Sequence, residues 1–217
     1  MISDTLSEAF DSLIEYKAQL FKVLIFPFIL LVAFSLLEYI YRDKFSLIVS
    51  LAVPFFIGMM ATITTHRIIL IGSKSVSTRR LLKITSREIK FMSYGAGVIL
   101  FLIPLLFLSV LPIIGKPLAL IILFYLFSRI SLVFPAIATD KSLSFLQAWK
   151  ITKSFKVQKM VLITGLLLIT LITLGIFIQA IPGVGWIASL IAFVMLIYIA
   201  AVLSNIYSKV LSAGHIA

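Results

Sequence analysis

Arg129 lies twelve residues from Pro117 and twelve from Lys141 in an otherwise apolar run. On a straight membrane-spanning helix its guanidinium would sit near mid-bilayer, where ionisable groups are costly and mark substrate, ion or proton routes. Pro135, six residues on, should break or kink that helix. Ile130–Ala138 would then run along the interface and let Arg129 snorkel to phosphate depth. Three apolar runs end alike, in Thr65-His66-Arg67-Ile68, Phe127-Ser128-Arg129-Ile130 and Tyr207-Ser208-Lys209-Val210. The recurrence favours snorkelling for Arg67 and Arg129 over a buried relay. Glu38 stands close to Arg42 and Lys44, so a local ion pair is expected there rather than proton coupling. Arg129, Arg67 and Glu38 are thus the candidate intramembrane polar set, while His66 is expected to be satisfied by hydrogen bonds and His215 to lie in the tail.

Few residues could support catalysis. The chain has two histidines and no cysteine, which removes thiolate nucleophiles, iron–sulfur clusters and disulfides. It contains no H-E-x-x-H, no G-x-S-x-G, no G-x-x-x-x-G-K-[ST] and no paired carboxylates within one apolar run. No catalytic, metal-ligating or cofactor-binding residue is assigned, and no cofactor is expected.

The elements carrying these residues are membrane spans. Apolar residues make up 62% of the 217 and charged residues 12%, with a mean hydropathy of +1.20, against roughly 45–50% and about 25% in soluble domains. A span needs ~20 mainly apolar residues. Six candidates follow: Gln19–Tyr41, Phe45–Ile71, Ser93–Ile114, Pro117–Ala138, Gln158–Ile181 and Val184–Tyr207. The segment before the first carries Asp4, Glu8, Asp11 and Glu15 instead of a basic n-region, so a cleaved signal peptide is not expected. Lys74, Arg79, Arg80, Lys83, Arg87 and Lys90 fall between spans two and three; Lys141, Lys150, Lys153, Lys156 and Lys159 fall between spans four and five. Basic connections stay in the cytosol, so both termini are expected there.

The chain repeats itself. KSVSTRRLLKIT begins at Lys74 and KSLSFLQAWKIT at Lys141; Gly97 answers Gly165, and the turn Pro112 to Gly115 answers Pro182 to Gly185. A weaker first copy aligns Ala9-Phe10 with Ala148-Trp149 and Tyr16-Lys17 with Phe155-Lys156. The expectation is one all-α membrane domain, 1–217, of three parallel pseudo-repeats at about 1–71, 72–138 and 139–217. Each is a cytosolic amphipathic interfacial helix followed by a transmembrane hairpin.

At 100° per residue, Arg79, Arg80, Lys83, Arg87 and Lys90 share one arc of a helix, with Leu81, Leu82, Ile89 and Met92 opposite. Such a helix lies in the interface and reaches headgroup phosphates. Lys150, Lys153, Lys156 and Lys159 complete the candidate lipid contacts, although their three-residue spacing drifts round the helix. The first copy inverts the sign: Leu6, Phe10, Leu13 and Ile14 oppose the four carboxylates, and Thr5-x-x-Glu8 would form a capping box. The basic residues serve equally well as topology determinants, so both readings stand. Membrane lipid, a protein partner or a second copy are the expected partners; nucleic acid is not.

The stretch Ser128 to Lys153 reads R…PAIA.D…S…AW..T. It resembles a pattern of bacterial six-span membrane proteins related to the membrane domain of some glycerophosphodiester phosphodiesterases, and to uncharacterised inner-membrane proteins similar to it. The resemblance implies a multi-pass protein of the bacterial cytoplasmic (inner) membrane. It carries over no catalytic residue, because the soluble phosphodiesterase domain is not in this sequence. The functional expectation is a non-catalytic membrane protein that binds or organises lipid and a partner protein at the cytosolic face. The alternative is a transporter or lipid-translocating protein with its site between repeats near Arg129.

Overall fold

The computed structural model describes residues 2–41, 44–76, 84–108, 111, 114–153, 161–167, 170, 174, 178 and 185–213. Among them there is no strand. The order is α1 (Ile2–Glu15), α2 (Lys17–Ile40), α3 (Leu47–Ile71), a 3-10 turn (Ser73–Ser75), α4 (Ser86–Leu108), α5 (Gly115–Ile130), α6 (Val133–Ala138), α7 (Phe145–Ile151), a helical stretch 161–167, and α8 (Gly185–Ser212). Five stretches are long and apolar enough to cross a membrane: Lys17–Ile40, Ile48–Ile71, Ser86–Leu105, Leu118–Ala138 and Ile187–Ser212. The chain is a multi-pass membrane protein by that measure. Of the expected span Gln158–Ile181, most residues lie outside the described ones.

Helices α2, α3 and α8 pack on one another, α1 lies on α8, α4 pairs with α5, and α6 touches α3, α4 and α8. Small residues let α3 and α8 approach: Ala61, Ala200 and Ala201 are buried, and a Cβ on Gly58 would come within 3.0 Å of Leu196 Cδ2. Close approach through small side chains is how spans associate where lipid removes the usual hydrophobic drive. Outward surfaces of α4 and α5 are greasy, with Leu100, Phe107 and Ile121 each more than 60% exposed, a surface suited to lipid rather than water.

The fourth run divides at Ser131 and Leu132, earlier than its proline. A proline ring collides with the carbonyl four residues back, which for Pro135 is Ser131, the C-cap of α5. Pro135 itself sits in the first turn of α6, where no N–H donor is needed. Thr139, Asp140 and Lys141 then close α6 in a Schellman motif: Lys141 N–H reaches Ala136 O at 2.9 Å and Asp140 N–H reaches Ile137 O at 3.0 Å. Asp140 takes the positive φ (62°) that glycine usually supplies.

The segments expected to open the three copies begin differently. α1 starts at Ile2, so Thr5 lies one turn inside the helix, fully buried, and is not its N-cap. α4 starts at Ser86, with Glu88 Oε2 accepting from Thr85 N–H at 2.8 Å. Arg87 and Lys90 therefore ride on the first turns of a span instead of a separate interfacial helix. Residues 77–83, with Arg79, Arg80 and Lys83, lie outside the described residues. α7 opens with a full capping box between Ser144 and Gln147.

Candidate functional site

The end of α5 carries Arg129, 8% exposed. Its Nη1 donates to Thr152 O just past α7, and Nη2 donates to Tyr125 Oη at 3.1 Å. The guanidinium carbon lies 5.1 Å from the Tyr125 ring centre and 5.4 Å from that of Trp149, and the two rings meet edge to face. Thr152 Oγ1 has Ala148 O at 2.8 Å and Arg129 O at 3.1 Å within reach of its one proton. Arg129 Nε is buried without a protein partner. The helix break at Ser131 is what turns the chain back so that α7 can lie on this end.

Arg67 closes α3. Its Nη1 donates to Ala138 O at 2.9 Å and to Asp140 Oδ2 at 2.7 Å. Arg87 reaches the same carboxylate at 3.5 Å and gives Nε and Nη2 to Glu88 Oε1 at 3.0 and 2.7 Å. Two guanidinium and two carboxylate groups thus balance. Ser75 Oγ donates to Gly72 O at 2.7 Å, with Arg67 O also in reach at 3.1 Å, and so closes the turn after α3. A third cation, Lys209 of α8, pairs with Glu8 of α1.

The residues of the R…PAIA.D…S…AW..T stretch therefore have architectural reasons. Arg129, Trp149 and Thr152 join α5 to α7. Pro135 sets the break, Ala136 and Ala138 are fully buried, Asp140 ends α6 and holds two arginines, Ser144 caps α7, and Ala148 is buried without residue.

The remaining candidates scatter. Glu38 is half-exposed near the end of α2, its expected partner Arg42 lies outside the described residues, and Lys44 Nζ sits 5.6 Å from the Tyr41 ring. The start of α2 meets the end of α3 through Gln19 Nε2 and Ser73 O at 3.2 Å. Glu38 is nineteen residues further along, or about 28 Å at 1.5 Å per residue. Lys90, Lys150 and Lys153 are exposed; Lys156, Lys159 and His215 lie outside the described residues. His66 is fully buried, with Nδ1 2.8 Å from Ser204 Oγ. Ser204 Oγ also lies 2.9 Å from Ala200 O, and His66 Nε2 has no protein partner.

Sequence reasoning missed Glu88 and Asp140. T-x-x-E at Thr85 is a capping signal that could have found Glu88; nothing local announces that Asp140 meets Arg67. No family model, curated protein or solved structure matches the chain.

Proposed function

We propose that this chain is a non-catalytic, six-span protein of a bacterial cytoplasmic membrane that binds or organises anionic lipid, and a partner protein, on its cytosolic face. Both termini lie in the cytosol, on the side of the basic connections. The observation carrying the reading is the charge balance at the end of the bundle where α3, α4 and α6 meet. Arg67 and Arg87 are matched by Asp140 and Glu88. Among the described residues, no carboxylate pairs with Arg129, Lys90, Lys150 or Lys153, and the chain as a whole carries a net +11. Unmatched cations beside membrane spans attract anionic headgroups at ~1 kcal/mol each.

α1 adds support. Thr5, Ala9 and Leu13 face the protein, Asp4, Asp11 and Glu15 face out on a second arc, and Phe10 and Ile14, about half exposed, occupy a third between them. A helix with one exposed apolar arc beside an exposed acidic one suits an interface, the apolar arc toward acyl chains and the carboxylates toward water. The test is native mass spectrometry with lipid analysis of wild type and an Arg79→Gln/Arg80→Gln/Lys83→Gln variant. Enrichment of an anionic lipid that the variant loses is the expected result; lipid mirroring the bulk membrane in both would sink the reading.

The break at Ser131 and Leu132 favours a second reading, movement of lipid or solute between repeats near Arg129, because discontinuous spans line transporter sites. Flux into proteoliposomes that Arg129→Gln abolishes without loss of insertion would support it.

A further inference from the structure

Arg129 stands apart from the other described arginines, Arg67 and Arg87, in being buried and in meeting no carboxylate. Arg67, Arg87 and Lys209 each meet a carboxylate, whereas Arg129 meets a carbonyl, a hydroxyl and two ring faces. None of these cancels a unit charge, and a buried charge without a counter-ion is strongly unfavourable. Two of its five N–H donors are used, so it can still engage an anion.

Beside it runs an apolar groove between α4, α5 and α7, lined by Val98, Leu123, Phe127, Phe145, Leu146 and Trp149 among others. Trp149 belongs to both features, since the ring that lines the groove also stacks on Arg129. The groove holds about 130 Å³, close to the roughly 150 Å³ apolar cavities that stay dry and take a benzene-sized guest. That volume suits a segment of one hydrocarbon chain and is too small for a helix. α4 and α5 are both membrane spans, and Leu146 at the edge is 76% exposed.

We infer that this groove takes one acyl chain of an anionic phospholipid whose phosphate is the counter-ion of Arg129. A missing anion next to a chain-wide apolar slot matches an amphiphile with phosphate and hydrocarbon covalently joined. The inference rests on the lipid-binding reading and deepens it: it names the site as the α5–α7 junction, not the basic 79–90 segment.

The test uses Trp149 as reporter. Trp186→Phe leaves it as the single tryptophan of the two. The full chain is placed in phosphatidylcholine nanodiscs carrying chain-brominated phosphatidylglycerol or, in a matched series, chain-brominated phosphatidylcholine; bromine quenches tryptophan on contact. The expected result is quenching of Trp149 at a mole fraction about tenfold lower for phosphatidylglycerol, the worth of one charge-assisted pair. Arg129→Lys keeps that preference and Arg129→Gln removes it. Val98→Phe, which fills the slot and leaves the arginine in place, reduces quenching by both lipids and serves if Arg129→Gln does not fold. Equal quenching by both lipids in the parent protein overturns the pairing with Arg129. Absence of quenching by either overturns lipid occupancy and points to a second copy on this face. Anionic lipid that co-purifies while Trp149 shows no preference would remove this site and leave the broader reading standing.

Discussion

Two helices lie on the ends of two spans by the same device. On α8, Asn205 and Lys209, one turn apart, take Ser12 and Glu8 of α1: Asn205 Nδ2 donates to Ser12 Oγ at 3.2 Å and Lys209 pairs with Glu8. On α5, Tyr125 and Arg129, also one turn apart, take Trp149 and Thr152. Each docked helix buries an alanine completely, Ala9 in one and Ala148 in the other, the two positions that the sequence alignment expected to correspond. The clamps differ in how they end. The α8 clamp closes on a carboxylate in a half-exposed pair; the α5 clamp closes on a carbonyl and two aromatic faces around a side chain 8% exposed. The same scaffold is electrically complete in one place and open to an anion in the other.

If the clamps are equivalent, they lie on one side of the membrane, and the largest effect available is all-or-none. Ser7, exposed on α1, and Lys153, exposed after α7, become single cysteines in a chain that has none. Both should label with an impermeant thiol reagent only after the cytosolic face is opened, whereas Ile113→Cys, between α4 and α5, should label from outside. Opposite behaviour of Ser7→Cys and Lys153→Cys would break the equivalence outright.

Arg129→Ala comes next. It strips the partner from the carbonyl of buried Thr152 and the cation from two ring faces, at about 2–4 kcal/mol together. Thermal unfolding in detergent should fall accordingly, and Trp149 emission should shift to the red as α7 loosens. Thr152→Val keeps the shape of the side chain and removes only its hydroxyl, whose proton is shared between Ala148 O and Arg129 O. About 1 kcal/mol is expected, with the Trp149 spectrum unchanged. A loss as large as that of Arg129→Ala would mean that the hydroxyl, not the cation, holds α7.

Much of this frame was readable in the residue order. Apolar runs of span length, the turn-forming glycines and the aligned alanines are local signals, and they survive into packed helices. Gly115 shows why: a Cβ there would fall 2.1 Å from Leu108 O, so the turn between α4 and α5 admits no side chain. Misjudged points were those where a short-range rule had competitors. The break before Pro135 is not among them: it falls at Ser131, beside the expected Ile130, because the collision acts four residues upstream. Arg87 turns onto Glu88 and Asp140 because Thr85 starts a new helix, which ends the continuous basic arc assumed from Arg79 to Lys90. After Thr152 the next residues are Lys153-Ser154-Phe155; no acid stands where Glu88 does, and the same K-I-T closes a helix instead of opening one. Pairings such as Arg67 with Asp140, seventy-three positions apart, and His66 with Ser204 are products of packing. No periodicity encodes them.

The smallest effect is the sharpest test of the comparison. Lys209→Gln removes the charge that pairs with Glu8 but leaves Asn205 on Ser12 and Ala9 in its pocket. Both partners of the pair are about two-fifths exposed, at 40% and 44%, and exposed pairs of this kind contribute roughly 0.2–1 kcal/mol. The substitution should therefore lower stability by about 0.5 kcal/mol in low salt, and by less in 0.5 M salt, where the Debye length is roughly 4 Å. A double substitution with Glu8→Gln should cost no more than the sum of the two singles, measured by thermal unfolding in both salts. A loss rivalling that of Arg129→Ala would show that α1 hangs on its ion pair. The contrast between a closed and an open clamp would then fail, because the α8 end would depend on its anion as the α5 end is proposed to depend on lipid phosphate.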